Sequence, residues 1–253
     1  EGQLLYIVME RFDMTLLQAM ERTPELTEGT VARFVGEMFQ GLQSLHGLGV
    51  VHRDIKPDNF LCVGEHFMVK LCDFGLAVQL PGPESELRSV CGTPPFMSPE
   101  MLRSEGYGPG TDVWALGVTA YVLLLGLFPY RPLEDTARDM KKTILTGVPA
   151  PNFRPWAVPE AGGARLSPAA LFFLRATLCR KKAARPTAAG ALQLPWLAGP
   201  GLPAEWGAPS LRSTLRAAKR ALLTKTARLA PDVERSCGST KGDRSQSGWR
   251  CGP

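Results

Sequence analysis

The sequence predicts an α+β fold that is mainly α-helical, with one short strand and one small β-hairpin. Three observations support this prediction. An apolar stripe of helical period follows Thr27, 16 uncharged residues occupy positions 113–128, and apolar runs at 61–63 and 68–71 flank Gly64-Glu65. The first two patterns are typical of an amphipathic helix and a buried helix, and the third is typical of a hairpin.

The N-terminal part is expected to hold a strand, a short helix and a long helix. Residues 4–9 form an apolar run with β-branched members, which predicts a strand, and residues 13–21 predict a short helix that ends near Pro24. Thr27 is a suitable N-cap for a helix that reaches about His46, because a Thr side chain can accept a backbone N–H at a helix start.

The C-terminal part is expected to begin with a long functional loop over residues 73–110, which are rich in Gly, Pro and Ser. After Trp196 the composition shifts to Gly, Pro, Ser, Ala and Arg, so we place a domain boundary near residue 198. Further helices are predicted at about 112–126, 134–146, 167–179 and 187–193.

The uncharged run at positions 113–128 raises the question of a membrane span. It starts after Thr111-Asp112, a good helix start, and stops at Pro129. Its 16 residues fall short of the roughly 20 that a transmembrane helix needs. We therefore predict a helix that is buried on all sides, and no transmembrane segment.

Composition narrows the possible classes of protein. The chain has 253 residues, 44% of them hydrophobic, which suffices for a packed core. Residues 199–253 carry ten basic and four acidic residues, so the tail is basic while the body is near neutral, and nucleic-acid binding is not predicted. The six cysteines show no C-x-x-C pair, and the N-terminal residues lack a signal-peptide pattern, so an intracellular protein of the cytoplasm or nucleus is expected.

Two motifs in order carry the chemistry. Residues 52–59 read His-Arg-Asp-Ile-Lys-Pro-Asp-Asn and match H-R-D-x-x-x-x-N at every fixed position, and Asp73-Phe74-Gly75 follows 19 residues after Asp54. Residues 92–100 resemble the segment that closes an activation loop. Together these motifs resemble those of eukaryotic serine/threonine protein kinases, over roughly residues 1–197.

This resemblance implies an α+β protein-kinase-like fold, truncated to the mainly α-helical C-lobe with a hinge strand and a small catalytic-loop hairpin. Residues 1–13 would be the last N-lobe strand and the hinge, and residues 14–198 the C-lobe. Residues 199–253 would be a basic, largely disordered tail with a possible helix at 210–230.

The resemblance also implies roles in ATP- and Mg²⁺-dependent phosphoryl transfer to Ser/Thr hydroxyls of protein substrates. Asp54 would orient the substrate hydroxyl and accept its proton, Lys56 would contact the γ-phosphate, and Thr93 would link these two residues. Asn59 and Asp73 would supply oxygen ligands to Mg²⁺. At the adenine end, the implied contacts are Met9 as gatekeeper, Glu10 and Phe12 through their backbone, and Leu61 as the apolar floor.

Structural and regulatory roles are implied for further residues. The structural set comprises His52, Phe74, Gly75, Glu100, Asp112 and Arg185. Among these, Asp112 would accept backbone N–H groups of the catalytic loop, and Glu100 and Arg185 would form a buried ion pair. Arg53 could neutralise a phosphate on Ser89, but Val78 stands where many such kinases have a second basic residue. Phosphorylation of Ser89 and an ordinary loop serine therefore both stay open.

The sequence departs from the kinase pattern at its start. It contains no Gly-rich loop, V-A-I-K lysine or helix-C glutamate. We therefore expect a fragment of a kinase whose isolated activity is low. The alternative is a non-catalytic truncated kinase, or a pseudokinase-like scaffold that binds protein partners.

The tail segment 210–230 carries six basic and no acidic residues. Its apolar residues on one helical face are Leu211, Leu215, Ala218, Leu222 and Leu229. Such a helix can be an autoinhibitory or calmodulin-target segment, or lie on a membrane surface. A solvated or loosely docked helix is the simpler alternative.

Overall fold

The computed structural model of the chain describes residues 8–153, 166–199 and 210–229, with side chains up to Lys225. Most of the strand predicted at 4–9 and the tail beyond 229 lie outside these residues. Residues 8 and 9 have no regular secondary structure and are exposed.

The first half of the chain places small sheets beside one long helix. Its elements are β1 (Met14–Thr15), α1 (Leu16–Arg22), α2 (Glu28–Gly47), β2 (Val50–Val51), a 3₁₀ turn (Pro57–Asn59), β3 (Phe60–Val63), β4 (Met68–Leu71) and β5 (Val78–Gln79). One antiparallel sheet has the order β1-β3-β4, and β2 pairs with β5 in a second sheet. The predicted hairpin is confirmed as β3 and β4.

The second half is helical. Its elements are a 3₁₀ turn (Pro94–Phe96), α3 (Pro99–Arg103), α4 (Gly110–Leu125), α5 (Ala137–Thr146), α6 (Pro168–Thr177), a 3₁₀ turn (Lys182–Ala184), α7 (Ala188–Leu192), α8 (Pro195–Ala198) and α9 (Arg212–Leu229). The predicted helices at 112–126, 134–146, 167–179 and 187–193 correspond to α4, α5, α6 and α7.

The capping residue Thr27 explains where α2 begins, whereas strand β1 was not predicted from the residues around it. Thr27 caps α2 as predicted, and its Oγ1 accepts the Thr30 N–H at 3.3 Å. The helix predicted at 13–21 starts late, because Met14 and Thr15 pair with β3 instead. Thr15 then caps α1 with a reciprocal hydrogen bond to Gln18.

The segment predicted as one long loop, 73–110, is more ordered than expected. It contains β5 and α3, and Leu87 forms an antiparallel bridge with Tyr107. The cause is pairing with distant residues, together with the Ser98 side chain, which accepts the Met101 N–H at the start of α3.

Helix α4 is the centre of the core. Every residue of it from Thr111 to Leu125 is buried, as the uncharged run predicted. It packs against α2, α6 and α9. None of the helices in the described part of the chain is long and apolar enough to cross a membrane.

Helix α9 joins the same core, although it follows the boundary placed at residue 198. Three side chains of α9 and the residue just before it are at most 3% exposed. The three are Leu215, Ala218 and Leu222, and the preceding residue is Leu211. The backbone N–H of Leu211 donates to the carbonyl of Leu26 at 2.7 Å. A loosely held helix at this position is therefore not what the structure shows.

Candidate active site

The predicted catalytic loop, residues 52–59, is fixed by a carboxylate at the start of α4. The N–H groups of His52 and Arg53 donate to Asp112 Oδ2 and Oδ1 at 2.8 and 2.9 Å. Asp112 is 1% exposed, so these bonds face little competition from water. Arg53 has a positive φ of 69°, a strained conformation that this anchoring maintains.

Three predicted catalytic side chains meet beside this anchor. Asp54 Oδ1 accepts hydrogen bonds from the Thr93 backbone N–H at 2.9 Å and from Thr93 Oγ1 at 2.7 Å. Lys56 Nζ donates to Asp54 Oδ2 at 2.7 Å and to Thr93 Oγ1 at 3.0 Å. The result is a closed triangle around a carboxylate that is 9% exposed.

The close approach of the 92–93 segment depends on a glycine. Gly92 has a φ of 94°, and a Cβ at this position would lie 2.4 Å from the Arg53 carbonyl oxygen. Only a residue without a side chain fits here, and Gly also tolerates this φ without strain.

The two predicted metal ligands differ in their surroundings. Asn59 is buried, and its Nδ2 donates to the Asp54 carbonyl at 2.8 Å, which leaves Oδ1 available as a ligand. Asp73 is exposed, with a φ of 61°, and its Oδ1 accepts a 3.3 Å bond from the Gly75 N–H. Across residues 8–153, 166–199 and 210–229, no group of three or more His, Cys, Asp or Glu side chains could hold a metal.

His52 connects this loop to the segment around Asp73. Its Nε2 lies 3.1 Å from the Cys72 carbonyl, and its ring meets Phe74 edge to face with centroids 5.2 Å apart. His52 is fully buried, whereas Phe74 is 50% exposed. Burial raises the pKa of the neighbouring Cys72, and the charge of Asp73 adds to the effect.

The predicted adenine-binding residues are exposed or half-buried. Met9 is 70% exposed, Glu10 is exposed with a 3.6 Å contact to Lys70, and Phe12 and Leu61 are half-buried. No hydrogen bond or ion pair joins any two of these four residues. Nearby, Asp13 Oδ2 accepts the Gly64 N–H at 2.9 Å.

Glu100 and Arg185 form a bidentate, buried ion pair. The distances are 2.5 Å from Nη1 to Oε1 and 3.1 Å from Nη2 to Oε2, and the side chains are 5% and 0% exposed. Burial raises the pKa of Glu100, but the hydrogen bond and charge of Arg185 outweigh it, so the net shift is downward. Arg185 also donates to the carbonyls of Cys179 and Gly110, which leaves the guanidinium fully satisfied.

The two residues predicted to be regulatory are in contact. Arg53 Nη1 donates to Ser89 Oγ at 2.8 Å, and Arg53 Nε donates to the Leu76 carbonyl at 2.6 Å. Arg53 therefore ties together two points of the 73–100 segment.

Sequence reasoning missed two residues near the site. His46 lies at the end of α2, and its Nε2 is 3.0 Å from Asp112 Oδ2, so it adds a third contact to the anchoring carboxylate. Tyr107 is 1% exposed, and its hydroxyl donates to the Ser89 carbonyl at 2.5 Å. Neither residue belongs to a sequence motif, and the partners of both lie far away along the chain. The sequence alone therefore gave no signal for them.

Comparison with known proteins agrees with these motifs. The family model of the protein kinase domain matches residues 1–197. The human serine/threonine-protein kinase DCLK2 is 41% identical over 155 residues, which is 58% of this chain and 20% of that protein. The serine/threonine-protein kinase zyg-8 of Caenorhabditis elegans is 36% identical over 146 residues, which is 56% of this chain and 18% of that protein.

A third relative matches more of the chain. Calcium-dependent protein kinase 9 of Oryza sativa subsp. japonica is 35% identical over 203 residues, which is 78% of this chain and 33% of that protein. In these three alignments the chain spans between about a fifth and a third of the length of its relatives.

Proposed function

Because the chain belongs to the protein kinase family, we propose that the protein containing it transfers the γ-phosphoryl group of ATP to serine and threonine hydroxyls of protein substrates. The observation that supports this most directly is the triangle of Asp54, Lys56 and Thr93. Lys56, two residues after the catalytic Asp, favours Ser/Thr over Tyr substrates, and the relatives are named serine/threonine kinases.

The hydrogen bonds around Asp54 favour Oδ2 as the oxygen that would receive the substrate proton. Oδ1 already accepts two bonds from Thr93, whereas Oδ2 accepts one short bond from Lys56 and a 3.4 Å contact from Asn59. Oδ2 therefore has room for the hydroxyl of a substrate. Lys56 Nζ makes two bonds of its possible three, so one N–H is left for a phosphate oxygen.

The residues present fit Mg²⁺ bound together with a nucleotide. Asn59 Oδ1 and the Asp73 carboxylate would hold the cation, and two protein oxygens are what Mg²⁺ commonly takes when phosphates complete its shell. When bound, Mg-ATP supplies the phosphoryl group, and the cation neutralises charge on the phosphates. The backbone of Glu10 and Phe12, the Met9 side chain and the apolar Leu61 would hold the adenine.

The polypeptide of residues 1–253 is expected to be a weak catalyst by itself, as a kinase C-lobe with a hinge. Its sequence holds no Gly-rich loop and no V-A-I-K lysine, and these parts cover and pair the phosphates in kinases. The second candidate is a scaffold that binds protein partners without phosphorylating them. The half-exposed Phe74 and the 70% exposed Met9 favour it for the isolated chain, since they offer apolar contact surface at the cleft.

Phosphate transfer from Mg-ATP to a generic basic protein substrate tests both candidates. The comparison uses residues 1–253 and the same residues in their native polypeptide, each as wild type and as Asp54→Asn. Asp58→Asn is the matched control, because Asp58 is an exposed acid of the same loop. We expect Asp54→Asn to lower the native rate by roughly 10²–10⁴-fold, the usual contribution of a general base, and Asp58→Asn to change it only a few-fold.

The outcomes separate the candidates. Equal rates for wild type and Asp54→Asn in the native polypeptide would contradict the kinase proposal. A native polypeptide that transfers no phosphate would favour the scaffold. An isolated chain as fast as the native polypeptide would contradict only the expectation of weak isolated activity.

For the tail, we propose that α9 is an intramolecular contact with which a calmodulin-type partner would compete. Such partners bind the apolar face of a basic helix, and that face of α9 is buried against α1 and α4. One relative is named a calcium-dependent protein kinase. A native-gel shift of the chain with Ca²⁺-calmodulin tests this, and an unchanged mobility would leave α9 as a structural element alone.

A further inference from the structure

The activation segment is fastened to the loop before α4 by its backbone. The N–H of Leu87 donates to the Tyr107 carbonyl at 2.8 Å, and the N–H of Tyr107 donates back to the Leu87 carbonyl at 2.9 Å. Lys182 Nζ adds bonds to Glu86 Oε1 at 2.6 Å and to the Gly106 carbonyl at 3.0 Å. We call residues 86–89, 106, 107 and Lys182 the latch.

Ser89 is held at the end of the latch by one charge-assisted hydrogen bond and one neutral hydrogen bond. Its hydroxyl accepts from Arg53, and its carbonyl accepts from the Tyr107 hydroxyl. Tyr107 Oη also lies 3.4 Å from Ser89 Oγ. Burial raises the pKa of Tyr107, and its bond to Ser89 and the nearby Arg53 offset this only in part, so the hydroxyl keeps its proton and remains a donor at neutral pH.

A phosphate at Ser89 would meet one of the two basic residues expected around it. Arg53 is present, with Nε bonded to the Leu76 carbonyl and Nη1 bonded to Ser89, and Val78 contributes no charge. A dianionic phosphate is stabilised best by several charge-assisted bonds. The unmodified hydroxyl, by contrast, satisfies one N–H of Arg53 at 2.8 Å as it stands.

The latch is coupled to the catalytic carboxylate through a short stretch of chain. Ser89 lies four residues before Thr93, which donates twice to Asp54. Between them, Gly92 lies directly against the Arg53 carbonyl. A shift of Ser89 would therefore move the two donors that hold Asp54 Oδ1.

We propose that the latch holds the activation segment in its working position without a phosphate on Ser89, and that Tyr107 is a positioning residue acting through Ser89. This inference deepens the proposed kinase function and rests on it for its effect on catalysis. The latch itself is a statement about structure, so it can be tested without any activity.

Hydrogen exchange of the full chain, treated with phosphatase and shown by mass spectrometry to carry no phosphate, is the first test. The amides of Leu87, Tyr107 and Thr93 should be protected at least 100-fold relative to unstructured peptide. Tyr107→Phe, which removes only the hydroxyl, should reduce protection of Leu87 and Thr93 at least tenfold. Tyr130→Phe is the matched control, because Tyr130 is also buried and its hydroxyl accepts one bond, from Arg180.

Two results would overturn the latch. One is exchange at unstructured rates in the phosphate-free wild type, with protection appearing only after Ser89 is phosphorylated. The other is Tyr107→Phe with the same protection as wild type. Either result would assign the ordering of this segment to something other than Tyr107.

Kinase rates of the native polypeptide provide the second test. Phosphatase treatment should change kcat by less than about threefold, and Tyr107→Phe should lower kcat five- to tenfold while KM for ATP stays within twofold. A loss of more than tenfold on phosphatase treatment would show that the phosphate is required and would refute the inference. If the wild type is inactive, the proposed kinase function fails, and hydrogen exchange still decides whether the latch exists.

Discussion

Replacing Arg185 with Met should destabilise the chain by about 3–5 kcal/mol, the usual cost of breaking a buried ion pair by removing one partner. Arg185 is fully buried, and Glu100 is 5% exposed at its side chain. Met fills much of the same volume, so the loss is mainly that of the charge and its hydrogen bonds. With roughly 2–4 °C per kcal/mol for a chain of this size, Tm should fall by roughly 6–20 °C.

The loss of unfolding free energy in Arg185→Met should also depend on pH. In the wild type the pKa of Glu100 lies below its ordinary value of 4.5. The ionised Glu100 therefore stabilises the folded state above about pH 4.5, and this contribution is lost as the pH falls through the folded pKa. In Arg185→Met, burial acts on Glu100 without the opposing arginine, which should raise its pKa above the ordinary value. The stability difference between variant and wild type should therefore be larger at pH 7 than at pH 5.

Urea unfolding followed by tryptophan fluorescence at the two pH values measures both effects. Arg103→Met is the control, because Arg103 forms an exposed 3.7 Å pair with Glu105 and should cost less than about 1 kcal/mol. A loss below 1 kcal/mol for Arg185→Met, or a loss that grows on acidification, would refute the reasoning.

Three further predictions concern Gly92, helix α9 and Cys72. Gly92→Ala should lower the kinase rate of the native polypeptide at least tenfold, since its Cβ would lie 2.4 Å from the Arg53 carbonyl; a rate within twofold of wild type would mean that the segment has room to move. Leu215→Glu should cost about 2–5 kcal/mol in urea unfolding, because this side chain is 3% exposed, whereas Leu223→Glu, at 68% exposure, should stay within about 0.5 kcal/mol. Equal costs would argue against a docked α9. The pKa of the Cys72 thiol is raised above 9.0 by burial and by a neighbouring carboxylate, so iodoacetamide should alkylate it more slowly than free cysteine at pH 8; faster alkylation would contradict this.

Elements with a strong local signal could be predicted from the sequence. The Thr27 cap and the apolar period gave the start and length of α2, and the uncharged run gave α4. The two-residue strand β1 could not be predicted in this way. It has no period of its own, and it exists because Met14 and Thr15 meet Cys62 and Leu61 across the sheet.

The candidate site divides along the same line. Asp54, Asn59 and Asp73 could be named because their motifs have fixed spacing, although their catalytic roles remain predictions. His46 and Tyr107 could not, because a lone His or Tyr carries no spacing signal and their partners lie 66 and 18 residues away.

A buried network outside the site was equally invisible to the sequence. Glu28 accepts the backbone N–H and the hydroxyl of Ser167 at 2.9 and 2.6 Å, and the indole N–H of Trp196 at 3.1 Å. The partners lie 139 and 168 residues from Glu28, so only the folded chain reveals that a first-turn glutamate joins α2 to α6 and α8.

The anchoring of the catalytic loop by Asp112 has a consequence for entropy. Ordering a residue of backbone costs roughly 1–2 kcal/mol at 25 °C. Since His52 and Arg53 are bonded to the start of the most deeply buried helix, that cost is met when the chain folds and not when a substrate arrives. In the proposed kinase, binding energy that a mobile loop would spend on its own ordering would remain available for holding the substrate against Asp54.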